Sequence, residues 1–353
     1  MVIGKIQGIY TISCPFSIIF IENFQDRAIF TPIMKKMILT KQIAELEKYG
    51  IRSVSVAAGV FDGVHRGHLQ VLRAMLKTAE TTGSTPAVLT FSPHPRSVLA
   101  GKHAPKLILP KEEKYRLLQD AGAKAIVELE FTKAFAALSP QEFLQQCLHA
   151  GKVSMKGLAV GNAWRFGAGA SGSCADIMEM AEKEHFLFTP VPELMLDDRV
   201  VSSTRIRHAI SIGAVDAARK MLGRRPAVYG TVVHGMGLAA PVLGFPTANV
   251  DVSAGLIPAY GVYAVYLLVD GAVYPGAANV GVAPTIRKEE APKPKFEVHL
   301  PGFSGDLYGK QVKVELVRHI RQEQKFDSVD ALKAQMANDL EQVKKYLVQN
   351  ENQ

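Results

Sequence analysis

From Ser53 to about Val191 the chain alternates apolar, β-branched runs with amphipathic stretches, and this restricts the fold more than any other feature. Ser53 to Phe61 (SVSVAAGVF) reads as a buried strand, and Pro86 to Phe91, Ala125 to Glu130 and Gly157 to Gly161 read as three more. Between them, His68 to Glu80 carries Leu69, Leu72, Met75 and Leu76 at helical spacing, and Lys111 to Ala121 is helical as well. Ser139 to Cys147 is a helix with a marked start: Ser139 as N-cap, Pro140 at the first position and Glu142 three residues on. Strands that alternate with helices predict a parallel sheet covered on both faces. In such sheets ligands gather beyond the carboxyl ends of the strands.

The texture changes after Gly223. The runs AVYGTVVHG, GVYAVYLLVD, GAVYPGAANVGV, KFEVHL and KQVKVELVRHI are short, β-rich and punctuated by glycine and proline. Several strands at such spacing predict an antiparallel barrel or sandwich. An amphipathic helix from Ser328 to about Val348 follows them, and Ala283 to Lys295 reads as a polar loop. With 353 residues the chain has room for two domains. The boundary is expected at Gly223 to Pro226, giving domains 38–223 and 224–353. Lys41 to Tyr49 reads as a short helix, and residues 1–37 as an extension outside the fold, with Met34 and Met37 as possible translation starts.

Composition narrows the function classes. Lys and Arg exceed Asp and Glu by eight, which suits phosphate-bearing ligands, but they form no long run of the kind that tracks nucleic acid. Cys14, Cys147 and Cys174 are far apart and form no CxxC, so neither a disulfide framework nor a zinc site is expected, and the reducing cytoplasm is the default location. The most apolar stretch, Gly8 to Phe20, is shorter than the ~18 residues a spanning helix needs. No membrane or nucleic-acid partner is expected.

The segment GVFDGVHRGH (Gly59 to His68) follows a strand and opens a helix. Gly63 and Gly67 keep the turn slim, so a phosphate can approach the N–H groups at the helix start. His65 and His68 share one face of the first turn and can stabilise charge as pyrophosphate leaves. Strand, glycines, HxGH and helix together are the signature of the HIGH-type nucleotidyltransferases. The whole segment resembles the prokaryotic bifunctional riboflavin kinase/FAD synthetase family.

Further motifs carry that resemblance in family order. TFSPHPR (Thr90 to Arg96) is similar to a loop that shapes the flavin and ATP pocket, which implies roles for Phe91, Ser92, Pro93, His94 and Arg96 beside Gly59, Phe61, Asp62 and Gly63. FTKAFAALSP leads into the capped helix. GNAWRFG resembles the adenylyl-site motif and implies Gly161, Asn162, Arg165 and Phe166. SSTRIR resembles a triphosphate-binding motif, with Ser202, Ser203 and Thr204 as hydroxyl ligands and Arg207 as a planar fork for two phosphate oxygens. The family pattern is broken at Ala163, Ala170 and Ser173, where polar or charged residues are usual.

The β-rich half resembles a riboflavin kinase domain, which implies a six-stranded antiparallel barrel with a C-terminal helix, while the first half implies a Rossmann-like domain. GTVVHGMGLAAPVLGFPTANV supplies Gly235, Gly244 and Pro246 for ATP and flavin. Thr247 and Asn249, hard oxygen ligands on one side of an extended segment, would hold Mg²⁺. Glu297 in FEVHL is implied as the base for the riboflavin 5′-hydroxyl, and GDLYGK and EQKFDS follow. Ala240-Pro241 replaces the usual Gly-Arg of the phosphate loop, and Arg287-Lys288 also departs from the pattern. The resemblance implies a monomeric or weakly oligomeric cytoplasmic enzyme that uses ATP and Mg²⁺ to convert riboflavin to FMN and FMN to FAD. Two alternatives stay open: an FMN adenylyltransferase with a weakened kinase half, and a non-enzymatic flavin- or RNA-binding regulator.

Overall fold

The computed structural model describes residues 37–148, 151–235, 247–252, 255–282 and 294–351. The expected extension, residues 1–36, lies outside them, as do Gly244, Pro246, Ala240, Pro241, Arg287 and Lys288. Met37, counted with the extension, packs against the core of the first sheet.

Six strands form that sheet: β1 (Ile38–Thr40), β2 (Ser53–Ala58), β3 (Thr85–Ser92), β4 (Ala125–Glu130), β5 (Ser154–Gly161) and β6 (Leu187–Val191). Their order is β1-β4-β3-β2-β5-β6, and every pairing is parallel. Connecting helices are α1 (Arg66–Thr82), α2 (Pro95–Leu99), α3 (Lys111–Asp120), α4 (Lys133–Ala136), α5 (Pro140–Leu148) and α6 (Cys174–Glu184). A hairpin of β7 (Met195–Leu196) and β8 (Arg199–Val200) leads to α7 (Ser203–Ser211) and α8 (Val215–Leu222). Side-chain alternation along the strands divides the apolar residues into two cores. Val56 and Leu89 meet α5 and α6, while Ala57 and Val88 meet α1, α3, α7 and α8. The Ser139 start is as expected: Ser139 Oγ accepts from the N–H of Glu142, whose carboxylate accepts from the N–H of Ser139.

Three boundaries differ from the sequence reading. Ile43–Tyr49 is a 3-10 rather than an α-helix. β2 stops at Ala58, because Phe61 (φ 55°), Gly63 (φ 81°) and Val64 (φ 36°) turn the chain out of the sheet. α1 starts at Arg66, before His68, because His65 is its N-cap and its Nδ1 accepts from the N–H of His68.

The second unit is a closed barrel rather than a sandwich. Its strands are β9 (Ala227–Val233), β10 (Thr247–Asp251), β11 (Gly261–Val269), β12 (Ala272–Val282), β13 (Pro294–His299) and β14 (Gln311–Gln322). β9 pairs with both β10 and β14, which closes the order β10-β13-β12-β11-β14-β9 and leaves no edge. Val250, Val265, Val280, Phe296 and Val314 fill its interior. Helix α9 (Val329–Glu351) packs outside, with Val343 and Leu347 against Tyr266 and Leu268.

One buried charge ties the first sheet together. Glu128 on β4 is 1% exposed and accepts hydrogen bonds from Tyr115, Lys41 (2.5 Å) and Lys111 (2.5 Å). Burial pushes its carboxyl up, but these donors outweigh burial and hold it down at about 2. A depressed carboxylate pKa stabilises the fold above the unfolded value near 4.5 and loses that contribution as pH falls towards about 2. Glu128→Gln is therefore expected to cost about 1–2 kcal/mol at neutral pH, because two ammonium groups lose their charge partner while both stay exposed to water. The variant should also show a flatter acid limb. Urea melts at pH 7 and at pH 3 check both outcomes.

Candidate functional site

Three connections meet at the carboxyl edge of the parallel sheet. They are the turn after β2, the loop after β3 and the loop after β5. In the turn, His65 and His68 stack with ring centroids 3.6 Å apart. Gly67 permits this, since a Cβ there would lie 3.2 Å from the His65 ring. Nδ1 of His65 is an acceptor, so the proton of the neutral ring sits on Nε2. Burial, then the cation of Arg224, pulls the His65 pKa down to about 4. Burial also lowers His68 well below the usual range, followed by the charges of His65, Arg224 and Lys114. Two neutral imidazoles therefore offer N–H groups rather than full charges. Nδ1 of His68 is buried with no hydrogen-bond partner among the described residues.

The SSTRIR segment is drawn to the same turn. Ser202 caps α7 by accepting from the N–H of Arg205, while the Ser203 hydroxyl donates to the carbonyl of Asp62. Arg207 pairs with Asp62 at 2.6 Å and donates to the carbonyl of Lys106 at 2.9 Å. Asp62 is itself buried and also accepts from the N–H of Ile108. Asp62 thus serves as a brace between the turn and α7, with two Arg207 donors committed to protein. Thr204 is exposed.

The β3 and β5 loops are joined from beneath. Phe91 and Phe166 are buried, and both pack on Phe143, with centroids 6.4 Å and 5.1 Å away. Their side chains set the height of the loops. Pro93, Arg96, Asn162 and Arg165 remain exposed, while Ser92, His94 and Gly161 are half-buried. His94 accepts from the N–H of Arg96, and burial lowers its pKa although Asp62 opposes the shift. Phe61 is buried, and its ring lies 3.2 Å from a Cβ built at Gly59. Of the family departures, Ser173 caps α6 in a reciprocal box with Asp176, and Ala170 has a left-handed φ of 57°.

On the barrel, register does the assembling. Glu297 on β13 lies opposite Asn249 on β10 and opposite Asn279 on β12, and opposed residues share a face. Their neighbours Val250, Val298, Phe296 and Val280 point into the core, so Asn249, Glu297 and Asn279 face outwards. Lys295, two residues before Glu297, places its Nζ 2.7 Å from Oε1. Thr247 lies two residues from Asn249 on the same face of β10. A Cβ at Gly235 would lie 2.2 Å from the Asn249 amide, so a larger residue there would displace that side chain. A cavity of about 180 Å³ at this end is lined by Val232, Thr247, Leu300, Phe303, Leu307 and Tyr308. His234 stacks on Tyr308 at 3.8 Å.

Two family models match consecutive parts of the chain: one described as FAD synthetase over residues 48–205, and one described as riboflavin kinase over 222–347. The "Bifunctional riboflavin kinase/FMN adenylyltransferase" of Bacillus subtilis (strain 168) is 34% identical over 82% of this chain and 92% of its own length. Its namesake from Escherichia coli (strain K12) is 35% identical over 86% and 96%. The chain belongs to the bifunctional riboflavin kinase/FMN adenylyltransferase family. A solved structure described as a macrolide-efflux protein from Streptococcus pneumoniae is 32% identical, with a TM-score of 0.77, and covers 87% of this chain and 98% of that one. Among the described residues of the present chain, no helix is long and apolar enough to cross a membrane.

Several residues at these family sites escape sequence reasoning. Lys114 on α3 donates to the Thr90 hydroxyl, and burial lowers its pKa to about 8 against the pull of Asp62 and Glu128. On sequence it is one lysine of an amphipathic helix. Asn279 did leave a signal, as a lone amide within the small and apolar residues of β12. Lys295 and Arg224 left none. Under an adenylyl-transfer role for the His65–His68 pair, protonating His65 Nδ1 removes the helix cap and puts a new cation beside Arg224, so the enzyme's own acid limb in kcat is expected as pH passes about 4. A pH–rate profile checks this once the ionisation of the FMN and ATP phosphates, at about 6, is measured on the free substrates and taken out; an enzyme limb still near 6.5 would mean that the rings titrate as free imidazoles.

Proposed function

We propose that the chain works at two separate places. On the barrel, riboflavin becomes FMN; at the edge of the sheet, FMN becomes FAD. The kinase step is assigned to residues 224–353 and the adenylyl step to 38–223, in a monomeric or weakly oligomeric cytoplasmic enzyme. The observation that carries the reading is the stacked pair of neutral histidines at the start of α1, because a superfamily signature there has the geometry its chemistry requires.

In the adenylyl step a phosphate oxygen of FMN attacks the α-phosphorus of ATP, and pyrophosphate leaves. Charge grows on the bridging and pyrophosphate oxygens, and N–H donors already in place stabilise it without reorganisation. His65 Nε2 and His68 supply them, together with N–H groups at the start of α1. Arg207, braced by Asp62, offers its remaining edge to the triphosphate. Pro93, His94, Asn162 and Arg165 border the space left for flavin and adenine.

In the kinase step the riboflavin 5′-hydroxyl attacks the γ-phosphorus of ATP and ADP leaves. Glu297 accepts the hydroxyl proton, and Lys295 steadies its carboxylate. Thr247 and Asn249 present hard oxygen atoms beside Glu297, a donor set that fits Mg²⁺ shared with ATP phosphates. Held by these residues, Mg²⁺ would supply charge neutralisation to the transferring group.

An HPLC time course with riboflavin, ATP and Mg²⁺ tests the reading. FMN should rise first and FAD should follow, with one pyrophosphate per FAD. Conversion of added FMN with riboflavin untouched would sink the kinase assignment.

A further inference from the structure

Arg224 sits between α8 and β9, in the segment that joins the sheet unit to the barrel. Its Nη2 donates to the carbonyl of Gly63 at 2.6 Å, and its Nη1 donates to that of Val64 at 2.9 Å. These two consecutive carbonyls belong to the turn that ends in the His65 cap. The turn holds two non-glycine residues, Phe61 and Val64, at left-handed φ, which such residues adopt only where their surroundings hold them. In a trans peptide the N–H points opposite to the preceding carbonyl. Fixing the Val64 carbonyl on Arg224 therefore aims the His65 N–H away from it. The fork geometry of a guanidinium suits this task, since two adjacent acceptors are met by one rigid plane.

The seat of Arg224 is built from both units. Tyr229, Glu113, Arg116 and Glu315 all act on its charge. Glu113 on α3 accepts from Tyr229 on β9 at 3.1 Å and from Arg116, and Lys313 on β14 lies 3.9 Å away. Glu315 on β14 pairs with Lys313 at 2.9 Å and with Arg225 at 3.5 Å. A residue of the joining segment, beside a charge cluster drawn from both units, thus grips the turn that holds the histidines.

We propose that Arg224 is a positioning residue for adenylyl transfer, holding the Gly63–Val64 backbone so that His65 and His68 keep their stacked, capped arrangement. The proposal rests on the reading that this pair serves the adenylyl step.

The test uses the full chain with Arg224→Ala, Arg224→Lys and, for reference, His68→Ala. Both reactions are measured on each preparation: FMN to FAD and riboflavin to FMN. Arg224→Ala should lower kcat for FMN adenylylation about 100-fold, with a much smaller change in KM. Riboflavin phosphorylation should stay within about twofold of the parent. The acid limb of adenylylation should move to higher pH in Arg224→Ala, because the cation that faces both imidazoles is gone while His65 and Lys114 still face His68. Arg224→Lys retains the charge and one donor, so it should restore the acid limb while recovering only part of kcat. Adenylylation at the parent rate in Arg224→Ala, alongside an inactive His68→Ala, overturns the proposal alone. A fully active His68→Ala overturns the site reading and the proposal with it. Equal losses of both activities in the alanine and lysine variants would show a general structural role and also overturn it.

Discussion

Replacing His68 with alanine is expected to lower FMN adenylylation by about 10²–10³-fold, the usual loss when one donor to a developing negative charge is removed. The residue is half-buried, and its ring stacks on His65 at 3.6 Å and packs edge-on against Phe61 at 5.2 Å. Its Nδ1 finds no partner among the described residues, as suits a group held ready rather than one used in folding. Alanine suits the first turn of a helix, and the cap that starts α1 uses the backbone N–H of residue 68 rather than the ring, so the fold should persist. Riboflavin phosphorylation on the same protein is the internal control and should be unchanged. Pyrophosphate release with FMN and ATP measures the effect, and a loss of less than about tenfold would mean that the imidazole contributes little to the transition state.

The second large effect belongs to the barrel. Glu297→Gln should lower riboflavin phosphorylation by about 10²–10⁴-fold, the range for removing a general base, while FMN adenylylation continues at the parent rate. Glutamine keeps the shape of the side chain. The strand is held by backbone pairing to β10 and β12 and by Phe296 and Val298 in the core, so the lesion is chemical. The ion pair with Lys295 is lost in the same variant. For that reason Lys295→Met makes the useful comparison: a much smaller loss there assigns the effect to the carboxylate. Full riboflavin turnover in Glu297→Gln would rule out the base.

Periodicity made the framework legible. Ala125 to Glu130 is a strand over the expected residues, and the Ser139 cap works as its spacing implied. Short or strained pieces were not legible. β1 has three residues, too few for a pattern, and it is a strand because it pairs with β4. The run Ser53 to Phe61 looked like one strand because apolar spacing carries no record of φ, and the turn begins inside it. A barrel and a sandwich share the same alternation of apolar and polar residues, so the pattern left both open; the family resemblance implied the barrel, and the β9–β10 pairing closes it.

The site divides in the same way. Gly59 to His68 was recognisable because its glycines, histidines and flanking elements are contiguous, and local chemistry sets their roles. The sequence by itself determined the two reaction classes and nominated the residues proposed for their centres, since a motif is a set of neighbours along the chain. Tertiary structure alone decided which groups surround them. Asp62 is tied to Arg207 and Arg224 grips the carbonyls of Gly63 and Val64. The protonation of the histidines was decided there too. A pKa near 4 for His65 comes from burial and from a cation 159 positions away in the chain, and burial and charge depend on distance in space, which spacing along a sequence does not record.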